Sequence, residues 1–66
     1  MMILLDTKGI QIEEIEQILV IESSCVRCTI KQGVVEVRGS NFRVYSLNDH
    51  DLTIKGKVTA VVLNER

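Results

Sequence analysis

The stretch "VVEVRGSNFRVYSLNDHDLTIKGKV", residues 34–58, decides the fold. It contains one short phrase twice, "VEVRG" at 35–39 and "LTIKG" at 52–56. In each phrase apolar and polar residues alternate, which is typical of a half-buried strand, and a glycine follows. A glycine at that place lets the chain bend sharply or lets a neighbouring strand approach closely. Gly39 and Gly56 are therefore predicted to curl a small sheet on itself.

The same alternation continues on both sides of this stretch. "CVRCTIK" at 25–31 and "KVTAVVL" at 57–63 have the pattern of strands, and turn-forming residues separate the runs at 32–33, 39–41 and 48–51. We therefore expect an all-β fold, a small curled antiparallel sheet, roll or barrel-like, of about six short strands. The residues predicted to face inward are Val26, Cys28, Ile30, Val35, Val37, Phe42, Val44, Leu52 and Ile54, with Val58, Ala60 and Val62 sharing one face of the last strand.

The first third of the chain allows two interpretations. Ile12, Ile15 and Leu19 fit one face of a helix, and the intervening Glu and Gln residues favour helices. The run "ILVIE" at 18–22 is instead rich in β-branched residues, which is typical of a strand. We predict a strand over residues 17–22, with a short helical turn over residues 11–16 as an additional element. Residues 1–14 are then an N-terminal extension or a first strand.

Length and composition limit the possible classes of protein. The chain has 66 residues, a formal net charge of −1, no proline and two aromatic residues. This length allows a single domain over residues 1–66, with a small and mainly aliphatic core. The opening "MMILLDTKG" is too short for a signal peptide or a membrane span. We expect a cytoplasmic protein with no direct membrane insertion, which reaches a membrane only through a partner.

The motif Cys25-Val-Arg-Cys28 has the spacing of a redox pair or of half a zinc site. Residues three apart on a strand point to opposite faces, however, and no helix follows to stabilise a thiolate. The one histidine, His50, lies in the polar loop "NDHD", where a solvated turn is the simpler interpretation. We expect no metal and no cofactor, and keep Cys25, Cys28 and His50 as weak metal-ligand candidates. A symmetric dimer that joins two such motifs is the arrangement that would hold zinc.

Charge is unevenly distributed along the chain. The outward positions of the later strands include Arg38, Arg43, Lys55 and the aromatic Tyr45, a combination that single-stranded nucleic acid can use. A net charge of −1 is unlike the basic balance of most nucleic-acid-binding domains, so nucleic acid is the less favoured partner. No catalytic residues are predicted. The acidic segment comprises Glu13, Glu14, Glu16 and Glu22.

The last strand is the best candidate for an interface. A small sheet leaves backbone N–H and C=O groups unpaired at its edges, and pairing between subunits satisfies them. In "TAVVLNE" at 59–65, Val61 and Leu63 lie on one face and Val62 on the other, so the strand is apolar on both faces. We expect a homo-oligomer that uses these three residues.

Residues 33–63 resemble the YabP/YqfC family of sporulation proteins from spore-forming Gram-positive bacteria. Members of that family have an "LxIxGxxLxIxSL" segment, a short acidic stretch and an "LxIxGxIxxLxY" segment. The likeness runs over residues 15–63. In this chain the acidic link is shorter, the final aromatic is replaced near Leu63, and residues 1–14 align poorly. The family positions with a structural role are Gly33, Gly39, Ser46, Leu47 and Gly56.

The resemblance implies a role in endospore formation without an established biochemical activity. Family members act beside membrane proteins of the sporulation programme, so a membrane protein of that programme is the expected partner. We therefore expect a non-enzymatic structural or assembly protein that binds a protein partner. The alternative is a small β-domain that binds nucleic acid.

Overall fold

Six antiparallel strands make up the part of the chain that the computed structural model describes, residues 3–6 and 8–65. They form one sheet in the order β1-β2-β6-β5-β4-β3, and the sheet is not closed into a barrel. The expected all-β curled sheet is confirmed. The strands are β1 (Ile3–Asp6), β2 (Gly9–Ile12), β3 (Ile15–Ile21), β4 (Cys25–Ile30), β5 (Gly33–Leu47) and β6 (Leu52–Glu65).

Two of these strands are long. β5 and β6 span 15 and 14 residues and pair along their whole length, from Gly33 opposite Glu65 to Leu47 opposite Leu52. The predicted turn at 39–41 is therefore wrong, because the chain passes through residues 39–41 as strand, whereas the bend expected at Gly56 coincides with a register shift. The pairing register shifts at three points, near residues 59, 41 and 45. Each shift is a β-bulge, which bends and twists the hairpin without ending it.

The bends divide the sheet into two wings. β4 pairs only with residues 33–38 of β5, and β2 pairs only with residues 52–55 of β6. The first wing therefore contains β3, β4 and the ends of the hairpin at residues 33–38 and 60–65. The second wing contains β1, β2 and the hairpin near its tip, residues 43–47 and 52–55. The hairpin is the only element that runs through both wings of the described chain.

Phe42 and two glycines form the joint between the wings. A Cβ atom at Gly56 would lie 2.8 Å from Cδ1 of Phe42 and 2.7 Å from the carbonyl oxygen of Asn41, and a Cβ at Gly39 would lie 2.7 Å from Cζ of Phe42. Gly56 also has φ +143, a conformation that side chains disfavour. The missing side chains let the ring pack directly on the backbone of both strands. The prediction that these glycines curl the sheet agrees with this packing.

The core lies between the two wings and is entirely apolar among the described residues. The N–H of Phe42 donates to the carbonyl of Ser23 at 2.9 Å, and the N–H of Ile15 donates to the carbonyl of His50 at 2.7 Å. These two bonds connect the wings at separate points and hold their apolar faces together. The core residues are Ile10, Ile12, Ile15, Val26, Cys28, Ile30, Val35, Val37, Phe42, Leu52 and Ile54.

The front of the chain contains strands where a helical turn was predicted. β2 ends at Ile12, a turn with Glu14 at φ 62 follows, and β3 begins at Ile15. Register shifts around residues 16 and 19 place Ile15, Ile18 and Ile21 opposite the buried residues of β4, although only Ile15 and Ile18 pack on the core and Ile21 is exposed. Ile12 and Ile15 are both buried but belong to different strands on either side of this turn, and Leu19 is exposed, so their helical spacing misled the prediction. β2 also supplies Ile10 and Ile12 to the core.

The described residues contain no helix that is long and apolar enough to cross a bilayer.

Replacing Gly56 with alanine tests the joint. The added Cβ meets the Phe42 ring and the Asn41 carbonyl in a strained conformation, so Gly56→Ala is expected to lower the free energy of unfolding by about 2 kcal/mol. Ser40→Ala, an exposed change at the same bend, is the control and is expected to stay within about 0.5 kcal/mol of wild type. Urea unfolding measures both. Equal midpoints for the two variants would show that the bend does not depend on a missing side chain.

Candidate interaction surfaces

The second half of β6 forms an unpaired edge of the sheet. Residues 57–65 pair with β5 on one side, and no other described strand pairs with them on the opposite side. Residues 58–63 of this edge, "VTAVVL", carry no charge and are rich in β-branched side chains. An exposed edge with such a sequence offers its backbone N–H and C=O groups to another strand.

The apolar face of the core extends onto this edge. Val61 and Leu63 lie opposite Val37 and Val35, which are fully buried, so all four side chains point to the core side of the sheet. Val61 and Leu63 are nevertheless 37% and 40% exposed, whereas their partners are fully buried. Val62 lies on the other face, opposite Glu36, and is 41% exposed. The edge is thus apolar on both faces.

The opposite edge of the first wing differs from this one. β3 carries Glu16 and has two register shifts, around residues 16 and 19. Charged residues and bulges on an edge strand obstruct pairing with another chain. From residue 60 onward β6 pairs with β5 in regular register and has its first charge at Glu65. Of these two edges, β6 is the better suited to accept a further strand.

A basic groove lies on the second wing beside the bend. Arg43 and Lys55 are directly opposite each other on β5 and β6, and Lys57 follows two residues later on β6. The Nζ atom of Lys55 lies 4.1 Å from the centre of the Tyr45 ring, a cation–π contact. The groove has a volume of about 550 Å³. Its lining comprises Asn41, Arg43, Val44, Tyr45, Lys55, Gly56 and Lys57.

Arg38 points outward, as predicted, but it does not line this groove. It lies on the first wing, opposite Ala60, where its Nε donates to Oε2 of Glu36 at 2.7 Å. Glu36 also forms an ion pair with Arg27 at 3.5 Å, and its hydrogen bond and charge raise the pKa of Arg38. Lys57 takes the place that was expected for Arg38. The period of two after Lys55 is the sequence signal that identifies it.

Cys25 and Cys28 lie on opposite faces of β4, and both thiols are free. Cys28 is fully buried opposite Val35, and burial raises the pKa of its thiol. Cys25 is half-buried opposite Arg38. Within one chain the two sulfur atoms therefore occupy different environments.

His50 lies in the turn that connects β5 and β6. The side-chain oxygen of Asn48 accepts hydrogen bonds from the backbone N–H groups of His50 and Asp51, at 3.1 and 2.9 Å. The carbonyl of His50 accepts the bond from Ile15 that joins the wings. The backbone of His50 therefore has a structural role. Among the described residues, no three His, Cys, Asp or Glu side chains are grouped closely enough to hold a metal ion.

The remaining family positions lie at the two ends of the long hairpin. Gly33 begins β5 and lies opposite both Ile30 and Glu65, while Ser46 and Leu47 lie opposite Thr53 and Leu52 at the tip. All three positions are thus placed where β5 begins or ends, and Gly39 and Gly56 are at the bend between them. The family pattern follows the geometry of the hairpin.

The model of the YabP family matches residues 1–66, the whole chain. Comparison with curated proteins and with solved structures found no match. The family match includes residues 1–14, for which a poor alignment with the family was expected.

The two thiols are expected to differ in reactivity. Cys28 is buried and has a raised pKa, so a thiol reagent should reach it only when the chain opens, whereas Cys25 is partly accessible. Single Cys25→Ser and Cys28→Ser variants, measured by the colour released from a disulfide reagent, separate the two rates. Burial raises the pKa of Cys28 above its value in the unfolded chain. The protonated thiol therefore contributes to the free energy of unfolding below the unfolded-chain pKa, and this contribution is lost as pH rises through the folded-state pKa. Equal native rates for the two thiols would contradict this placement.

Proposed function

Because this chain belongs to the YabP family, we propose that it is a non-enzymatic assembly protein of endospore formation that acts by binding a protein partner. Membership of that family fits a role related to sporulation, and the family is not known as an enzyme family. The match over the whole chain is the observation that carries this proposal. The proposed place of action is the cytoplasm, beside a membrane protein of the sporulation programme.

The edge of β6 is the surface we assign to association. An added strand would satisfy the unpaired backbone groups of residues 57–65 and would cover Val61, Val62 and Leu63. Each cross-strand apolar pair contributes about 0.2–1 kcal/mol, so one added strand gives a modest affinity that depends on protein concentration. This edge suits reversible assembly.

The sequence of this edge also permits pairing with a second copy. Antiparallel pairing about a two-fold axis at Val62 places Val61 of one copy opposite Leu63 of the other, and Val62 opposite its own equivalent. Both faces of the new pair are then apolar at the centre. Homo-oligomerisation is accordingly the form of association that we propose for the isolated protein.

A charge on this edge should prevent association without unfolding the chain. Leu63→Lys introduces an ammonium group on the uncovered core face, and the solution mass is expected to fall to that of a monomer. Leu19→Lys is the matched control, because Leu19 is 45% exposed and lies at a bulge of β3. Light scattering after gel filtration gives the masses, and circular dichroism checks the fold. An unchanged mass for Leu63→Lys, or an equal loss in both variants, would exclude the β6 edge.

The biological role is tested by deleting the gene in the organism that carries it. The count of heat-resistant spores is expected to fall strongly while vegetative growth is unchanged. Wild-type protein supplied in trans should restore the count, and the Leu63→Lys variant should restore it less than the Leu19→Lys variant. Normal counts after deletion, with no second family member in the genome, would contradict a sporulation role.

A further inference from the structure

The basic groove beside the bend contains three cations, and no carboxylate is among its lining residues. Arg43, Lys55 and Lys57 line it, and among the described residues none of the three forms an ion pair. Arg27 and Arg38 on the first wing provide the contrast, since both contact Glu36. The positive charge of this groove is therefore not neutralised by any residue that lines it, and a ligand can do so.

The position of these cations is unfavourable for the isolated chain. Arg43 and Lys55 face each other directly on neighbouring strands, an arrangement that destabilises a sheet when both residues have the same charge. The cation–π contact with Tyr45 offsets part of this cost for Lys55 but adds no negative charge. An anion in the groove would remove the repulsion and gain attraction to all three side chains.

We propose that this groove binds an extended acidic segment of a protein partner. Two observations favour a polypeptide over nucleic acid. Residues 43–47 of β5 pair with β6 on one side, and no described strand pairs with them on the other, so a peptide backbone can add there while its carboxylates reach the groove. The chain as a whole has a net charge of −1, whereas domains that bind nucleic acid are usually basic.

This site adjoins the β6 edge at Lys57 but does not include the apolar residues of that edge. The groove ends at Lys57, and the exposed apolar residues of the edge begin at Val61. Leu63→Lys changes no residue of the groove, and Lys57→Glu changes none of the exposed apolar residues of the edge, so the failure of one proposal is distinguishable from the failure of the other. The groove adds to the proposed function a second contact, and it specifies the charge of the partner.

The single tyrosine makes the groove directly observable. The chain has one Tyr and no Trp, so its intrinsic tyrosine emission reports on Tyr45 alone. A capped oligoglutamate peptide, which stays extended at neutral pH, is the probe, titrated at low salt into the full-length chain. The expected result is a saturable change in emission that is lost as salt is raised. Free tyrosine amide, titrated in parallel, corrects for quenching without binding.

Two charge-reversal variants give the decisive comparison. Lys57→Glu changes the groove, and Lys31→Glu makes the same change of net charge at an exposed position in the turn between β4 and β5. We expect Lys57→Glu to weaken peptide binding by about tenfold and Lys31→Glu to change it by less than about twofold, because a contact charge acts more strongly than a distant one.

Three results would overturn the assignment. The first is the absence of a saturable signal with oligoglutamate. The second is an equal loss of affinity in both variants, which would mean general attraction to the whole chain. The third is binding of a single-stranded oligothymidylate that is about tenfold or more tighter than the peptide and is lost in Lys57→Glu, which would make nucleic acid the occupant.

Discussion

The packing of the Phe42 ring against Gly39 and Gly56 is the contact on which the rest of the structure depends. A flat hairpin of this length would leave its apolar side in water, because the chain has no helix among its described residues to cover it. Because Gly39 and Gly56 have no side chains, the Phe42 ring packs directly on the backbone of both strands. The bulges on either side let the two strands bend together. The sheet then covers itself, and an aliphatic core is closed with few residues.

The same bend leaves parts of the sheet without partners. Because β4 accompanies only the first part of β5, and β2 only the first part of β6, the other halves of both long strands are edges. The two edges differ in chemistry. Residues 58–63 of β6 are uncharged and mainly apolar, whereas residues 43–47 of β5 include Arg43 and lie beside Lys55 and Lys57. One bend therefore produces an apolar surface and a basic surface, on which the two binding proposals are based.

The sequence predicts the apolar faces better than the extent of the strands. Alternation places Val26, Cys28, Val35 and Val37 in the core, because their stretches of β4 and β5 have regular pairing. It fails where a bulge adds a residue. The register shift at residue 59 places Val58 on the core side but Ala60 on the outer side, so the predicted common face of Val58, Ala60 and Val62 is wrong.

Bulges also account for the errors in strand boundaries, although the number of strands is six as predicted. The expected count of six was reached by dividing β5 and β6 into four strands at their bend and omitting β1 and β2. A glycine marks a bend and a turn alike, and only the pairing of both strands across it distinguishes them. Of the candidate basic residues, Arg43 and Lys55 lie opposite each other on the second wing, whereas Arg38 lies on the first wing and pairs with Glu36 of the same strand.

We propose that copies of this chain associate through the second half of β6, which the bend leaves unpaired on one side. Amide hydrogen exchange at low and high protein concentration, resolved to single residues, tests it most directly. We expect the amides of residues 58–64 that face away from β5 to become protected only at high protein concentration. The amides of β3 and β1 are expected to exchange at the same rate in both samples. Protection of β3 or β1 in place of β6, or no concentration dependence in an associated sample, would contradict it.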